Sequence, residues 1–166
     1  MDILTFYSGW ASSFGKPVAG AEAADRAIRL NPNFPRWAAG GYFGPAYFFA
    51  GRYEDTLRVL AKLPRESLGP SDFVRQAGSL AMLGRQDEAK AAVAQALARF
   101  PGLSIEARIS DSAYAEHERA RLIETMLKAG FPACAKPEEL AAFEKPVRLP
   151  ECEAERAKAA PSAKAG

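Results

Sequence analysis

The chain has 166 residues, of which 48% are hydrophobic and 25% charged, and 22 Lys and Arg against 20 Asp and Glu leave a net charge of +2. This composition excludes a disordered chain, a collagen-like chain and a disulfide scaffold, and the length fits one domain or a short array of repeated units. The small net charge gives no electrostatic drive towards nucleic acid or an anionic membrane, so we expect neither as a partner.

Alanine, the residue with the highest helix propensity, occurs 34 times, and apolar residues recur at helical spacing along the chain. The sequence therefore predicts an all-α fold. In chain order the predicted helices cover residues 2–13, 17–30, 35–50, 53–63, 71–83 and 86–99. The third of these helices has Gly44 and Pro45 in its interior, and a kink is expected there because a proline lacks the N–H that a helix uses.

A glycine followed by a polar residue precedes every second helix. Gly15, Gly51 and Gly84 are 36 and 33 residues apart, close to the 34-residue period of a tetratricopeptide unit. A small residue stands early in each following helix: Gly20, Thr56 and Ala89. On these residues the chain resembles the tetratricopeptide-repeat (TPR) family, which implies a right-handed helical solenoid of about three helix–turn–helix repeats.

Large apolar residues on the first helix of each unit are expected to pack between neighbouring helices. They are Leu4 and Tyr7, Phe43 and Tyr47, and Phe73 and Leu80. After the third unit the repeat fades, and a longer helix over 115–129 is expected to cap the array. The predicted organisation is an array with its capping helix over 1–132, a short helical or irregular extension over 133–149, and a disordered tail over 150–166, where Ala, Lys, Glu, Pro and Gly dominate.

Three stretches narrow the resemblance. Residues 30–37 read LNPNFPRW, residues 46–53 read AYFFAGRY, and residues 118–132 end in MLKAGFP. Together they are similar to the C-terminal TPR region that follows the catalytic domain in many bacterial class III adenylate and guanylate cyclases. The resemblance implies a regulatory region without catalytic activity, because the pair of metal-binding aspartates in a mixed sheet that those cyclases use has no counterpart in this sequence.

No residue pattern for catalysis accompanies the repeat. His117, the one histidine, stands between Glu116 and Glu118 and is interpreted as an exposed polar residue, since the sequence shows no nucleophile to pair with it. No glycine loop for nucleotides and no metal-ligand spacing occurs, so we expect no enzyme, no cofactor and no metal site. Cys134 and Cys152 are interpreted as reduced, incidental thiols, with a disulfide or a metal pair as the alternative.

The start of the chain, MDILTFYSGW, lacks the basic segment of a signal peptide. No apolar run approaches the length of about 18 residues that a membrane span needs. Together with the interpretation of the cysteines as thiols, these features predict a cytoplasmic location.

The TPR resemblance also indicates where a partner binds. In that family the first helices of the units line a concave groove that holds a peptide segment or a helix. The predicted groove residues are small or apolar: Pro45, Phe48, Phe49, Val74, Gly78 and Met82. Because Arg75 alone does not make the carboxylate clamp of chaperone-binding members, we expect an apolar partner segment in the groove, or the chain's own segment around Leu140 and Phe143. Core packing is the alternative role for these aromatic and methionine residues.

The first helix has an apolar face formed by Leu4, Tyr7 and Trp10. Exposed apolar surface of this kind predicts a homodimer through the first helix, or contact with a domain upstream. The sequence thus predicts a non-catalytic protein–protein interaction module, either stand-alone or as a cyclase-associated regulatory region. A small-molecule-sensing regulatory domain is the alternative, and it requires a closed polar pocket.

Overall fold

The computed structural model describes residues 3–111 and 114–159, and over these residues the chain is all-α, as predicted, with no strand. The helices are α1 Ile3–Trp10, α2 Pro17–Leu30, α3 Arg36–Ala38, α4 Gly44–Phe49, α5 Tyr53–Leu60, α6 Pro70–Met82, α7 Gln86–Arg99, α8 Ile105–Ile109, α9 Glu116–Ala129, α10 Pro137–Leu140 and α11 Pro150–Ala159. In this part of the chain no helix has the length and apolar character needed to cross a bilayer.

Three turns between helices share one geometry. Gly15, Gly51 and Gly84 have φ angles of +74°, +76° and +76°, in the left-handed region where a side chain would be strained. The residue after each glycine donates its N–H to a carbonyl oxygen five residues earlier: Lys16 to Ala11 at 2.9 Å, Arg52 to Tyr47 at 2.8 Å, and Arg85 to Leu80 at 2.9 Å. This pattern is a Schellman cap, and it joins α1 to α2, α4 to α5 and α6 to α7.

The predicted kink near Gly44 is a π-helical segment, Ala39–Phe43, between α3 and α4. The N–H of Gly44 donates to the carbonyl oxygen of Ala39, five residues earlier, which is the π-helical pattern. The wider turn places Pro45 in the first turn of α4, where its missing N–H is not required. The backbone therefore stays helical through Pro45.

Buried residues form two clusters. The N-terminal cluster is built around Phe43, Tyr47 and Val59 with buried alanines of α2, α3 and α4. The C-terminal cluster contains the larger side chains of α6 to α9 and extends to α11. Of the residues predicted to pack between helices, Phe43, Tyr47, Phe73 and Leu80 are buried and Leu4 is half-buried. The prediction is wrong for Tyr7, which is 44% exposed because α1 turns its small and hydroxyl-bearing residues inward.

The C-terminal residues differ from the prediction in two ways. Residues 150–159, expected in a disordered tail, form α11, and residues 160–166 lie outside the described residues. Cys134 and Cys152, expected as reduced thiols, are joined in a disulfide with their Cα atoms 5.4 Å apart. Composition gave no sign of either feature, because α11 is held by this covalent bond and by an ion pair between Arg156 and Glu106 rather than by an apolar stripe.

Glu106 connects the predicted extension to the rest of the chain. Its side chain is fully buried and accepts hydrogen bonds from the N–H groups of Ala135 at 3.0 Å and Leu149 at 2.9 Å, as well as from Arg156. Backbone bonds from α8 to residues 132 and 133 lie beside it. The segment after residue 132 therefore packs as part of the same unit as α8.

Candidate functional site

Helix α9 lies across the face of the predicted groove. Near its start, His117 Nε2 donates to the carbonyl oxygen of Ser12, at 2.7 Å, in the turn after α1. Further along, Arg121 Nη1 donates to the hydroxyl of Tyr53 at 2.6 Å, and the same helix packs along α6. The helix expected to cap the array thus contacts the first, second and third helix pairs.

Four of the six predicted groove residues are covered by this arrangement. Phe48 and Val74 are fully buried in the C-terminal cluster, and a Cβ added at Gly78 would lie 2.9 Å from Cβ of Thr125 in α9. Met82 is half-buried against the same cluster. The chain's own helix therefore occupies most of the surface on which the partner groove is predicted.

The segment predicted to fold back into the groove lies elsewhere. Leu140 is buried in α10, which packs against α8, and Phe143 lines a separate surface cleft with Phe100 and Arg108. The backbone bonds between residues 132–133 and α8 attach the start of this segment to α8. The prediction for this segment is wrong, since α9 covers the face instead.

Pro45 and Phe49, the remaining two groove residues, line a cleft that stays open beside α9. Its volume is about 290 Å³. Its walls are largely aromatic, and the lining residues are Gly9, Trp10, Ser13, Gly41, Tyr42, Pro45, Phe49, Arg75, Tyr114 and Glu118. Phe49 and Tyr114 meet edge to face, with ring centroids 6.2 Å apart. We name this surface the Arg75 cleft.

Arg75 supplies the cation of the cleft. Its side chain is only 12% exposed, and one nitrogen, Nη1, donates both to Asp72 Oδ1 at 3.1 Å and to the carbonyl oxygen of Gly40 at 3.3 Å. Nε and Nη2 donate to none of the described residues and are not sealed from solvent. Burial lowers the pKa of Arg75 below its ordinary value, since low-dielectric surroundings disfavour the charged form.

Asp72 positions Arg75. The N–H of Gly69 donates to Asp72 Oδ2 at 3.0 Å and so caps the start of α6, while the other carboxylate oxygen accepts from Arg75 one turn later. The carbonyl oxygen of Gly40, in the π-helical segment, holds the guanidinium from the opposite side. The start of α6 and the π-helical segment therefore fix the cation together.

A second cleft, of about 570 Å³, lies next to the first and shares Gly41 and Arg75 with it. Gly41 is exposed, and a Cβ added there would meet no atom within 4 Å. A larger side chain at this position would therefore fill the clefts without disturbing the core.

The residues predicted for self-association divide between two environments. Leu4 is half-buried against the N-terminal cluster, whereas Tyr7 and Trp10 are exposed. Trp10 also lines the Arg75 cleft. The structure adds Ile3 and Phe14 to the exposed face, neither of which the sequence interpretation included.

The chemistry available in this region is binding chemistry. In residues 3–111 and 114–159 no three His, Cys, Asp or Glu side chains are grouped so as to hold a metal ion. His117 bonds to a backbone carbonyl oxygen, as a surface histidine does, and within the same residues no nucleophilic side chain bonds to it. The unused donors of Arg75 and the aromatic walls suit a ligand that has one acceptor and one apolar group.

The sequence interpretation missed Tyr42, Tyr114 and Glu118 as cleft residues. Glu118 accepts the N–H of Ala115 at 3.0 Å, a helix-capping role that its position at the start of α9 indicates. No local signal places Tyr114 beside Phe49, because the contact depends on how α9 crosses α6.

No protein-family model, no curated protein and no solved structure matches the chain.

Proposed function

We propose that this chain is a non-catalytic, TPR-like protein–protein interaction module that binds a short partner segment in the Arg75 cleft. The observation that carries the proposal is Arg75, a largely buried cation whose Nε and Nη2 have no described partner. Because these two donors reach solvent, they can bond to water in the free chain, and an acceptor on a bound partner would replace that water. In the low-dielectric surroundings of a guanidinium that is only 12% exposed, such a bond is stronger than one at the open surface.

The repeated helix pairs support the TPR-like part of the proposal. The glycine turns at Gly15, Gly51 and Gly84 have one backbone geometry and one hydrogen-bond pattern. Small residues pack closely at the following helices: Thr56 and Ala89 are fully buried, and a Cβ added at Gly20 would lie 2.9 Å from the carbonyl oxygen of Ser8. Such pairs stack into a right-handed solenoid, with α9 as the helix that closes it.

The cleft defines the chemistry of the partner segment. Aromatic walls of Trp10, Tyr42, Phe49 and Tyr114 and a volume of about 290 Å³ fit one large apolar side chain. The planar guanidinium of Arg75 suits a main-chain carbonyl group or a carboxylate, because it presents two parallel N–H donors. The segment therefore carries an apolar residue beside an exposed carbonyl or terminal carboxylate.

The resemblance to the C-terminal region of bacterial cyclases gives this proposal its specific form, a regulatory region that serves a cyclase or a similar enzyme. The cytoplasmic location also stays a prediction. It loses the cysteines as support, because Cys134 and Cys152 form a disulfide, a bond typical of oxidising compartments.

The test is a selection from random peptides displayed with free C-termini, followed by affinity measurements on the enriched sequences. Gly41→Leu fills the cleft from an exposed position, and Arg75→Gln removes the cation. Ala94→Leu, at an exposed site in the middle of α7, is the matched control for adding a leucine to a helix surface.

We expect enriched peptides to bind the wild type and the Ala94→Leu variant equally. Binding to Gly41→Leu and Arg75→Gln should be at least about tenfold weaker, the equivalent of 1.4 kcal/mol. Unchanged helical circular dichroism shows that these variants fold. Peptides that bind all four proteins alike, or no enrichment at all, would overturn the proposal.

A second candidate function is sensing of a small molecule. The observation that favours it is that Arg75 and Gly41 line two adjoining clefts, whose volumes are within or just below the range of small-ligand sites, about 300–1,000 Å³. Thermal stabilisation by a small aromatic carboxylate such as benzoate, lost in Arg75→Gln and with no peptide enriched, would favour this function over the first.

A further inference from the structure

Helix α1 buries small and hydroxyl-bearing residues and exposes large apolar ones, the reverse of a normal surface helix. Its buried side consists of small and hydroxyl-bearing residues: Thr5, Ser8, Ala11 and Ser12. Its outer side carries Ile3, Tyr7 and Trp10, and Phe14 extends this side into the turn that follows the helix. These four residues are 83%, 44%, 57% and 75% exposed. We name these four residues the α1 stripe. Contiguous apolar surface of this kind marks an interaction site.

The spacing of the α1 stripe indicates the shape of what covers it. Its members on α1, Ile3, Tyr7 and Trp10, follow one another at intervals of four and three residues, which is the heptad spacing of a seam between two helices. Phe14 continues the line four residues later, in the turn after α1. The covering element is therefore a single helix that has a matching stripe. Among the described residues, α1 itself presents such a stripe.

The charge and the exposed area of the α1 stripe are both compatible with a second copy of this chain as the partner. No Asp, Glu, Lys, Arg or His occurs from Ile3 to Gly15, so two copies of this face bring no like charges together at neutral pH. With Phe6 and Val18 at its edges, the face exposes on the order of 700 Å², since a large side chain offers about 150–250 Å². A stable interface of standard size needs about 800 Å² from each partner.

We propose that two copies pair through the α1 stripe, with the helices antiparallel about a two-fold axis. In this register Ile3 of each copy lies opposite Phe14 of the other, and Tyr7 lies opposite Trp10. A two-fold axis makes each contact occur twice, so one stripe closes the interface with no unpaired apolar end. Trp10 belongs to both the α1 stripe and the Arg75 cleft, whereas Ile3 and Phe14, at the two ends of the stripe, do not line the cleft.

The test uses charge substitutions at the two ends of the stripe. Sedimentation equilibrium over a range of concentrations should show a reversible dimer for the wild type. Ile3→Lys and Phe14→Glu should each weaken self-association at least about tenfold, by burying an unpaired charge. Leu30→Ser, a change at an equally exposed residue at the end of α2, should leave the dimer unchanged.

Mixing the two charged variants tests the register. An equimolar mixture of Ile3→Lys and Phe14→Glu should form a mixed dimer, because the antiparallel arrangement places the lysine of one copy opposite the glutamate of the other. A wild type that stays monomeric at every concentration overturns the proposal. So does a dimer that the single variants leave intact, or one that the mixture fails to restore.

Discussion

The two halves of the chain use the same glycine turns but distribute their side chains in different ways. In the N-terminal cluster, six of the nine buried members are alanines, whereas the C-terminal cluster buries Phe, Leu, Ile, Val and Met side chains. Of the nine large hydrophobic residues that the described structure exposes, eight lie between Ile3 and Trp37. With the same turn geometry, the C-terminal half therefore buries its large apolar residues, whereas the N-terminal half exposes many of them to solvent.

This difference assigns different roles to the halves. Burial of a large apolar side chain stabilises a fold by about 1.5–3 kcal/mol, and burial of an alanine contributes much less. The C-terminal half consequently supplies most of the stability, and the N-terminal half supplies the surface for contact. Each half also has an ion pair between elements distant in sequence, Asp25 with Arg52 and Glu106 with Arg156, and the C-terminal pair is the more deeply buried of the two.

The largest expected effect comes from removing the buried partner of the C-terminal ion pair. Glu106→Ala should lower the free energy of unfolding by about 3–5 kcal/mol, because two buried backbone N–H groups would lose their acceptor, and Arg156, which is 27% exposed, would lose its ion-pair partner. Asp25→Ala is the matched change in the N-terminal half, where Asp25 pairs with Arg52 near the surface. It should cost about 1–2 kcal/mol, because the exposed ion pair contributes little and the hydroxyl of Tyr47 also loses its acceptor. Urea denaturation measures both, and equal losses would contradict the comparison.

The pH dependence of stability tests the role of the buried Glu106 carboxylate further. Burial alone would raise the pKa of Glu106, but hydrogen bonds from Leu149, Arg156 and Ala135 outweigh it and lower the pKa below the ordinary value of 4.5. The stabilisation is therefore complete above about pH 4.5 and is lost as the pH falls through the folded-state pKa. The wild type should lose stability on acidification more steeply than Glu106→Gln. Parallel pH profiles would show that the carboxylate is not the cause.

The disulfide has the next largest effect. Replacing both Cys134 and Cys152 by serine opens a loop of 18 residues, and chain entropy predicts a loss of about 3 kcal/mol. Hydrogen exchange should speed up in α11 and leave α2 unchanged. Reduction of the wild type by dithiothreitol is the control and should reproduce the pattern. Faster exchange across α2 would mean that the two halves unfold together.

A pair of isoleucines gives the smallest expected effect. Ile105 is fully buried at the start of α8, and Ile3 is exposed at the start of α1. Ile105→Val should cost about 1 kcal/mol, whereas Ile3→Val should change stability by less than about 0.5 kcal/mol. Both are measured by denaturation at the lowest usable concentration, so that association does not contribute. A large loss in Ile3→Val under those conditions would show that α1 buries this residue within the monomer.

Local signals were sufficient for α2, α7 and the glycine turns, whereas the helices predicted over 2–13 and 53–63 end earlier, at Trp10 and Leu60, and α11 was not predicted. The bounds of α2 and α7 match the predicted helices, and the glycine positions and the break near Pro45 are where the pattern placed them. These features depend on propensity, on positive φ and on a missing N–H, which are properties of a few neighbouring residues. The site was harder to predict, because Phe48, Val74 and Gly78 are groove residues only if nothing covers them.

The sequence alone therefore determined the all-α class, the glycine turns and the apolar character of α1. Tertiary structure decided that α9 covers the predicted groove, that Arg75 keeps two donor groups free beside Phe49 and Tyr114, and that Cys134 joins Cys152. The physical reason is how far apart the interacting residues lie along the sequence. Helix and turn formation depends on residues within one or two turns, whereas these contacts join segments that only the packing of α8, α9 and α11 brings together.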